Sequence, residues 1–355
     1  MTDLPVSSPP QLTRGQARAK QLRHAIQDVA QAFESLGASV EIHPSVVGSH
    51  PSLTLLTYAL VGLLAAGFVV LKPLWGLVLL FALVPSSIRD IDGGMGWLRR
   101  FTPKEIGRSL VIWPCQTPEN QPKPGWPTAK AATESPTMLI CLPIATQPPR
   151  SVWWGAFLPA AAWILILVGM TCQSLLMELG DELVGAGCLG FAITATGAIG
   201  TYLTLDHPKS LGPAETVAAL LTRKLRDSKP LPNNMRVAIA LQSGHPNHPD
   251  GIESLLKNNE HRFPKGNTTI IGWKPTTGPL TRINPEGWVR TLPSNEAANR
   301  LLECLIPREQ KGTTLARRAL ELDWRAIGVE GGFDDPQAVA DVLAQAILPP
   351  DSKAP

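Results

Sequence analysis

Apolar positions follow two different periods along most of this 355-residue chain. In Arg14–Leu36 apolar residues recur every three or four positions, which predicts a helix with one buried face, and Gly37 follows as a suitable C-cap. Val40–Val47 then predicts a strand. The two periods return up to residue 348, so helices and strands are expected to alternate.

The later helices and strands predict the class of the fold. The strands are Ser109–Trp113, Thr137–Ile144, Met235–Gln242, Thr268–Trp273 and Trp324–Val329, and the helices are Ala214–Arg226, Asp250–His261, Ser294–Leu305, Thr313–Leu322 and Asp335–Leu348. Strands separated by helices indicate a mostly parallel sheet with helices on both faces. We therefore predict an α/β fold with a mostly parallel, mixed sheet sandwiched by helices.

Two long apolar segments, 52–88 and 152–205, interrupt this alternation. About 20 apolar residues cross a bilayer as a helix. Four runs are near this length, although the second needs residues 85–88 in addition: Leu53–Leu71, Leu74–Val84, Trp153–Met177 and Leu183–Leu205. The pattern predicts four transmembrane helices in two hairpins.

The charges beside these runs predict an orientation. Basic residues concentrate on the side of the termini, and a cluster follows the second run: Arg89, Arg99, Arg100, Lys104 and Arg108. Positive residues stay in the cytoplasm and bind anionic headgroups. We expect a multi-pass integral protein, typical of a bacterial inner membrane, with the α/β domain and both termini cytoplasmic and the lipid bilayer as a partner.

The hairpins divide the predicted α/β domain into three parts. Residues 1–51, 89–151 and 206–348 form the domain, 52–88 and 152–205 are the hairpins, and 349–355 are expected to be a disordered tail. The net charge of +3 is too weak to indicate nucleic-acid binding, and the five cysteines have no paired spacing, which favours a protein without disulfides. Arg317 and Arg318 are interpreted as part of a solvated helix face.

Several stretches resemble the zinc-dependent aminopeptidase family, metallopeptidase family 28 of clan MH. Ala214–Leu221 is similar to the family's helix after its bridging aspartate, and Arg236–Gly244 followed by Gly251–Leu256 resembles its strand, acidic pair and next helix. Gly37–Glu41 fits the family's opening motif. The resemblance implies a zinc-exopeptidase-like fold, a cleft for two metal ions and aminopeptidase activity.

This chain lacks the metal ligands at the positions that the resemblance implies. Those positions hold Pro143 and Ala145 (histidine and aspartate of the third strand), Gly212 (bridging aspartate), Pro246 and Asn247 (general-base and ligand glutamates) and Lys274 (the next aspartate). The last histidine has no counterpart in residues 330–335. A two-zinc hydrolase needs carboxylate and imidazole ligands. An ion pair of Lys274 with Glu215 or Asp250 could replace the metal charge.

A rebuilt metal site is the alternative to an empty one. His245, His248, Asp250 and His207 could supply four zinc ligands, and the protein would then be an active metallopeptidase with displaced ligands. The other interpretation of these residues is a solvated, histidine-rich loop. Because their spacing matches no known metal motif, we favour the loop, with no cofactor and no catalytic residue.

Small residues recur at spacings of three and four in 183–205, among them Gly185, Gly190 and Gly197. This pattern is typical of helices whose backbones approach closely in lipid, either within the chain or against another membrane subunit. We therefore predict a membrane-anchored, catalytically inactive, aminopeptidase-like protein. Its expected role is structural, scaffolding or regulatory, as an accessory subunit of a membrane complex.

Overall fold

A computed structural model describes residues 26–47, 51–91, 97–98, 105–114, 136–144, 150–174, 179–204, 212–227, 231, 235–243, 250–287 and 290–348. The strands are β1 (Ser39–Val47), β2 (Glu105–Trp113), β3 (Thr137–Ile144), β4 (Arg236–Ser243), β5 (Thr268–Lys274), β6 (Thr281–Glu286), β7 (Glu309–Gly312) and β8 (Arg325–Glu330). They form one mixed sheet in the order β1-β2-β4-β3-β5-β8-β6-β7.

The helices surround this sheet or lie in the two long apolar segments. They are α1 (residues 26–35), α2 (Pro51–Leu71), α3 (Pro73–Ile91), α4 (Arg150–Ser174), α5 (Leu179–Thr204), α6 (Pro213–Asp227), α7 (Asp250–Asn258), α8 (Glu296–Glu303), α9 (Ala316–Glu321) and α10 (Pro336–Ile347). The protein is therefore α/β with a mixed sheet.

The sheet has a parallel centre and antiparallel additions. β4, β3, β5 and β8 run parallel to their neighbours in that order. At one side β2 pairs antiparallel with β4, and β1 pairs antiparallel with β2. At the other side β6 pairs antiparallel with β8, and β7 runs parallel to β6.

Each face of the sheet has its own apolar core. All eight residues of β3 are buried, and its side chains alternate between the two cores, as in Ile140 on one face and Cys141 on the other. The first core includes residues of α1, α6 and α10, and the second includes residues of α7 and α9. The result is a three-layer sandwich.

The connections reverse direction between β3 and β5. From β3 the chain reaches β4 through α6 on one face, and from β4 it reaches β5 through α7 on the other face. β3 and β5 are neighbours, but their following connections lead in opposite directions. Ligands of open α/β sheets bind at the carboxyl ends of the strands at such a switch. This edge therefore contains the first place to look for a site.

The two apolar segments form a bundle of α2, α3, α4 and α5. Its buried core includes Tyr58, Leu83, Trp163, Ile166 and Phe191. The hydroxyls of Tyr58 and Ser86 lie 2.6 Å apart and form a hydrogen bond inside the bundle. The bundle thus has an apolar core separate from those of the sheet.

Glycines allow the bundle helices to approach closely. A Cβ added at Gly187 would lie 2.7 Å from the carbonyl oxygen of Ala162, and one at Gly62 would lie 2.5 Å from the ring of Phe191. Both distances are too short for a real side chain. Backbone-to-backbone contact therefore determines the spacing of α4 and α5.

The predicted transmembrane helices are wrong. Among the described residues, no helix combines the length and the apolar character needed to cross a membrane. The prediction counted apolar residues along each run, whereas side chains such as Trp163 and Phe191 pack against other helices of the bundle. In α3 the run also contains Pro85 and ends beside Arg89. The localisation as a multi-pass integral membrane protein was predicted on the same ground and is wrong as well.

Candidate functional site

A cleft of about 560 Å³ lies beside the carboxyl ends of β5 and β8. It is lined by residues of the loop after β5, the start of β6, the start of β7 and the end of β8: Thr276, Thr277, Pro279, Thr281, Arg308, Glu309, Gln310 and Glu330. Three threonines and three charged residues are thus among the lining, and this polar cleft is the candidate site.

Lys274 and Glu330 form an ion pair at the edge of this cleft. They end neighbouring parallel strands and lie directly opposite each other in the register of β5 and β8. Lys274 Nζ is 3.4 Å from Glu330 Oε1, and the two side chains are 13% and 17% exposed. Because both groups are largely shielded from water, the pair is less screened than an ordinary surface ion pair.

Glu286, the last residue of β6, is a fully buried carboxyl near this pair. Its two oxygens accept hydrogen bonds from the backbone N–H and the hydroxyl of Thr314, at 2.8 and 2.6 Å. Burial raises the pKa of Glu286 to about 7, although the Thr314 hydrogen bonds and the charges of Arg317 and Lys274 act in the opposite direction. The carboxyl is therefore poised between its neutral and its ionised form near neutral pH.

Glu286 and Glu330 lie over the same face of β8. A Cβ added at Gly328 would collide with Glu286 Oε1, so the carboxyl covers this glycine. Gly328 and Glu330 are two residues apart on a strand and so point to one face. Lys274 pairs with Glu330 and also lowers the pKa of Glu286. One ammonium group thus acts on two carboxyls.

Backbone hydrogen bonds beyond the strand ends fix the wall of the cleft. The donor–acceptor pairs are Gly331 N to Lys274 O (3.1 Å), Gly332 N to Gly278 O (2.9 Å) and Phe333 N to Thr276 O (3.0 Å). Gly331 has a φ of 112°, and a side chain there would meet the carbonyl oxygen of Pro279. Only glycine fits this crossing of the two loops.

The structure brings two of the predicted metal positions to one edge of the sheet. Cys141 pairs with Gly272, so Pro143 and Lys274 lie two residues further along neighbouring strands. Pro143 is buried and lies opposite Gln242 of β4. Gly212 precedes α6 with a φ of 70°, a left-handed conformation that favours glycine.

The other predicted metal residues are placed only in part. Ala145, His207, His245, Pro246, Asn247 and His248 lie outside the described residues, and Asp250 is the first residue of α7. Within the described ranges, no group of three or more His, Cys, Asp and Glu side chains could hold a metal ion. The predicted partner of Lys274 was Glu215 or Asp250, but the structure pairs it with Glu330.

The remaining predicted residues are basic residues near the first hairpin and glycines of α5. Arg89 is exposed near the end of α3 and Arg108 is half-buried in β2, whereas Arg99, Arg100 and Lys104 lie outside the described residues. In α5, Gly190 faces Ala162 of α4, with 3.0 Å between its added Cβ and the Ala162 Cβ. At Gly185 and Gly197 an added Cβ would meet no atom within 4 Å.

Sequence reasoning missed Glu286, Glu330 and Thr314 as partners in one cluster. It also placed Arg317 and Arg318 on a solvated face, but they are buried to 2% exposure and half-buried, respectively. Arg317 pairs with Glu321 at 3.3 Å, and Arg318 with Glu253 at 2.7 Å. The available signal was the dense mixture of acids and bases in 309–330, which is unusual beside buried strands.

No protein-family model, curated protein or solved structure matches this chain. The aminopeptidase resemblance therefore stays a prediction, and the site is interpreted from its own geometry.

Proposed function

We propose that this protein is a non-catalytic binding protein with a structural or regulatory role, built on an aminopeptidase-like α/β fold. The resemblance puts an acidic zinc ligand at position 274. The chain instead has a lysine there, and its ammonium group pairs with Glu330 at 3.4 Å. This ion pair carries the proposal, because an ammonium group has no lone pair for a metal ion and already occupies the neighbouring carboxylate.

Two further positions support the proposal. Gly212 stands where the resemblance expects the bridging aspartate, and its φ of 70° lies in the left-handed region that favours glycine. Pro143 stands where a ligand histidine is expected, and its side chain has no donor or acceptor atom for a metal. The local backbone and chemistry at these positions therefore suit binding better than metal-assisted hydrolysis.

Zinc content and peptidase turnover test the proposal together. The purified full chain, incubated with zinc and then desalted, should retain less than one zinc per chain by mass spectrometry. It should not release p-nitroaniline from a panel of aminoacyl-p-nitroanilides.

Two variants separate the competing interpretations. Stoichiometric zinc with turnover, both lost in a His245→Ala/His248→Ala variant, would show an active enzyme with displaced ligands and overturn the proposal. His261→Ala is the matched control, because His261 is an exposed histidine beyond α7. It should behave as the unchanged protein in either case.

A further inference from the structure

The charged side chains that line the cleft differ in whether they have an oppositely charged partner. Glu309 accepts a hydrogen bond from Arg282 Nη2 at 2.9 Å, and Arg282 is only 4% exposed. Glu330 pairs with Lys274 at 3.4 Å. Both carboxylates are thus neutralised by cations that lie behind the lining of the cleft.

Arg308 is the cation that the cleft itself presents. It is exposed on the lining, and within the part of the chain that the structure describes its guanidinium forms no ion pair. Arg308, Arg282 and Lys274 carry three positive charges against the two negative charges of Glu309 and Glu330. Glu286, which is buried beside Lys274, is ionised only in part near neutral pH, so a partial positive charge remains, and Arg308 is the lining cation that has no carboxylate partner among the described residues.

Two threonines also line the cleft. Thr276 and Thr277 are lining residues, and a threonine hydroxyl can donate a hydrogen bond to a ligand. Thr281 differs, because its hydroxyl already donates to the carbonyl oxygen of Pro279 at 3.2 Å. A guanidinium and two hydroxyls are thus available to one acceptor group.

We propose that this cleft binds a small ligand through a single anionic group, a carboxylate or a phosphate ester, with Arg308 and the hydroxyls of Thr276 and Thr277 as the recognition groups. A guanidinium can give two parallel hydrogen bonds to either kind of anion. A cleft of about 560 Å³ has the size of a small-molecule site. The inference deepens the binding role proposed above and rests on it.

A cationic ligand fits the same cleft poorly. It would compete with Arg282 for Glu309 or with Lys274 for Glu330, and Arg308 would repel it. Arg282 is nearly inaccessible to water, so separation from Glu309 would leave a buried charge without its counter-ion. The two lining acids are therefore part of the wall and do not serve as a cation site.

Three probes of one shape test the class of ligand on the full chain. Benzoate and phenyl phosphate represent the two anionic groups, and benzamide is the uncharged counterpart of benzoate. By calorimetry or NMR titration, at least one anion should bind about tenfold or more tightly than benzamide, since charge-assisted hydrogen bonds are about twice as strong as neutral ones. The preferred anion distinguishes a carboxylate ligand from a phosphate ligand.

Variants place the binding at the cleft. Arg308→Gln should weaken the preferred anion about tenfold or more, and Thr277→Val should weaken it by a smaller factor. Arg300→Gln is the matched control, because Arg300 is an exposed arginine of α8 whose side chain is 74% accessible. It should leave the affinity unchanged, and circular dichroism should show that all three variants are folded.

Equal affinity for benzamide and the anions, unchanged binding in Arg308→Gln, or no binding of either anion would overturn the inference. These outcomes differ from a failure of the proposed function, which requires retained zinc and peptide hydrolysis.

Discussion

The eight-stranded sheet and the four-helix bundle use equally apolar sequences in different ways. In the sheet every side chain of β3 is buried, because helices cover both faces. In the bundle each helix divides its apolar residues: Tyr58 of α2 is buried, whereas Leu64 and Phe68 are 63% and 45% exposed. An apolar run in a central strand is thus buried along its whole length. An apolar run in a bundle helix is buried only on the face that contacts the other helices.

The largest expected effect comes from cavities in the two regions. Ile140→Ala in β3 and Phe191→Ala in α5 remove fully buried side chains, and each should lower the free energy of unfolding by about 3–4 kcal/mol. Because the two cores share no residue, hydrogen–deuterium exchange should rise in β4 and β5 for the first variant and in α2 and α4 for the second. Faster exchange in both regions for either variant would show that they unfold as one unit.

The second prediction concerns pH and should affect the sheet alone. The folded-state pKa of Glu286 lies near 7, above its ordinary value of 4.5, so the folded state binds the proton more tightly than the unfolded state. The stability that this gives is complete below pH 4.5 and is lost as the pH rises through about 7. The loss should be about 3 kcal/mol.

The Glu286→Gln variant tests whether this carboxyl causes the loss of stability. The amide oxygen can accept from the Thr314 N–H, and the amide NH2 can donate to the Thr314 hydroxyl oxygen, so both contacts persist, the second with its direction reversed and neither with a titrating proton. Urea denaturation between pH 5 and 8 should therefore show a smaller fall in stability for the variant than for the unchanged protein. If the stability of both proteins fell by the same amount over this range, Glu286 would not be the cause of the pH dependence. Glu41 and Glu253 have lowered pKa values, so their contributions change below pH 4.5, outside this window.

Glycines of α5 provide a third, smaller test. Gly187→Ala puts a methyl group against the backbone of α4 and should cost about 1–3 kcal/mol. Gly185→Ala is the matched control in the same helix. A methyl group there meets no atom within 4 Å, so the better helix propensity of alanine should add about 0.5–1 kcal/mol. Thermal denaturation should give shifts of opposite sign; equal shifts would contradict the packing of α4 on α5.

The smallest expected effect is that of an ion pair outside the sheet. Lys224 of α6 and Asp341 of α10 lie 2.6 Å apart, with side chains 36% and 40% exposed. A double-mutant cycle with alanine should give a coupling energy below about 1 kcal/mol. A larger value would mean that this ion pair is shielded from water more than the exposure of its two side chains indicates.

The elements of the fold were predictable where burial is continuous. β3, β4, β5 and β8 follow from short runs of apolar residues that the flanking helices cover. β6 and β7 were missed, because β6 contains Pro285 and β7 (EQKG) is polar and mostly exposed. Both are held by pairing with neighbours that are distant in sequence, and no local pattern records this.

The sequence indicated where the candidate site lies, but not which residues form it. The resemblance directed attention to Lys274 at the edge of the sheet, but its partner depends on the register that sets Lys274 opposite Glu330. Glu286 becomes notable only once Gly328 and Thr314 are known to surround it. Arg318 was misjudged because its cover comes from Glu253, 65 residues away. The role of a charged side chain thus depends on partners that are distant in the sequence and become known only from the structure.

The ladder between β1 and β2 has a consequence for the architecture of the chain. Val47 and Glu105 are directly opposite each other at one end of this antiparallel pair. The chain thus leaves the sheet at the end of β1 and returns to it at the start of β2, and these two points are separated by the spacing of adjacent strands, about 5 Å. A tight turn of a few residues could join Val47 to Glu105. The first helical hairpin is therefore an insertion at a position where a short turn would be enough to connect β1 to β2. Excising it should leave the ladder in register.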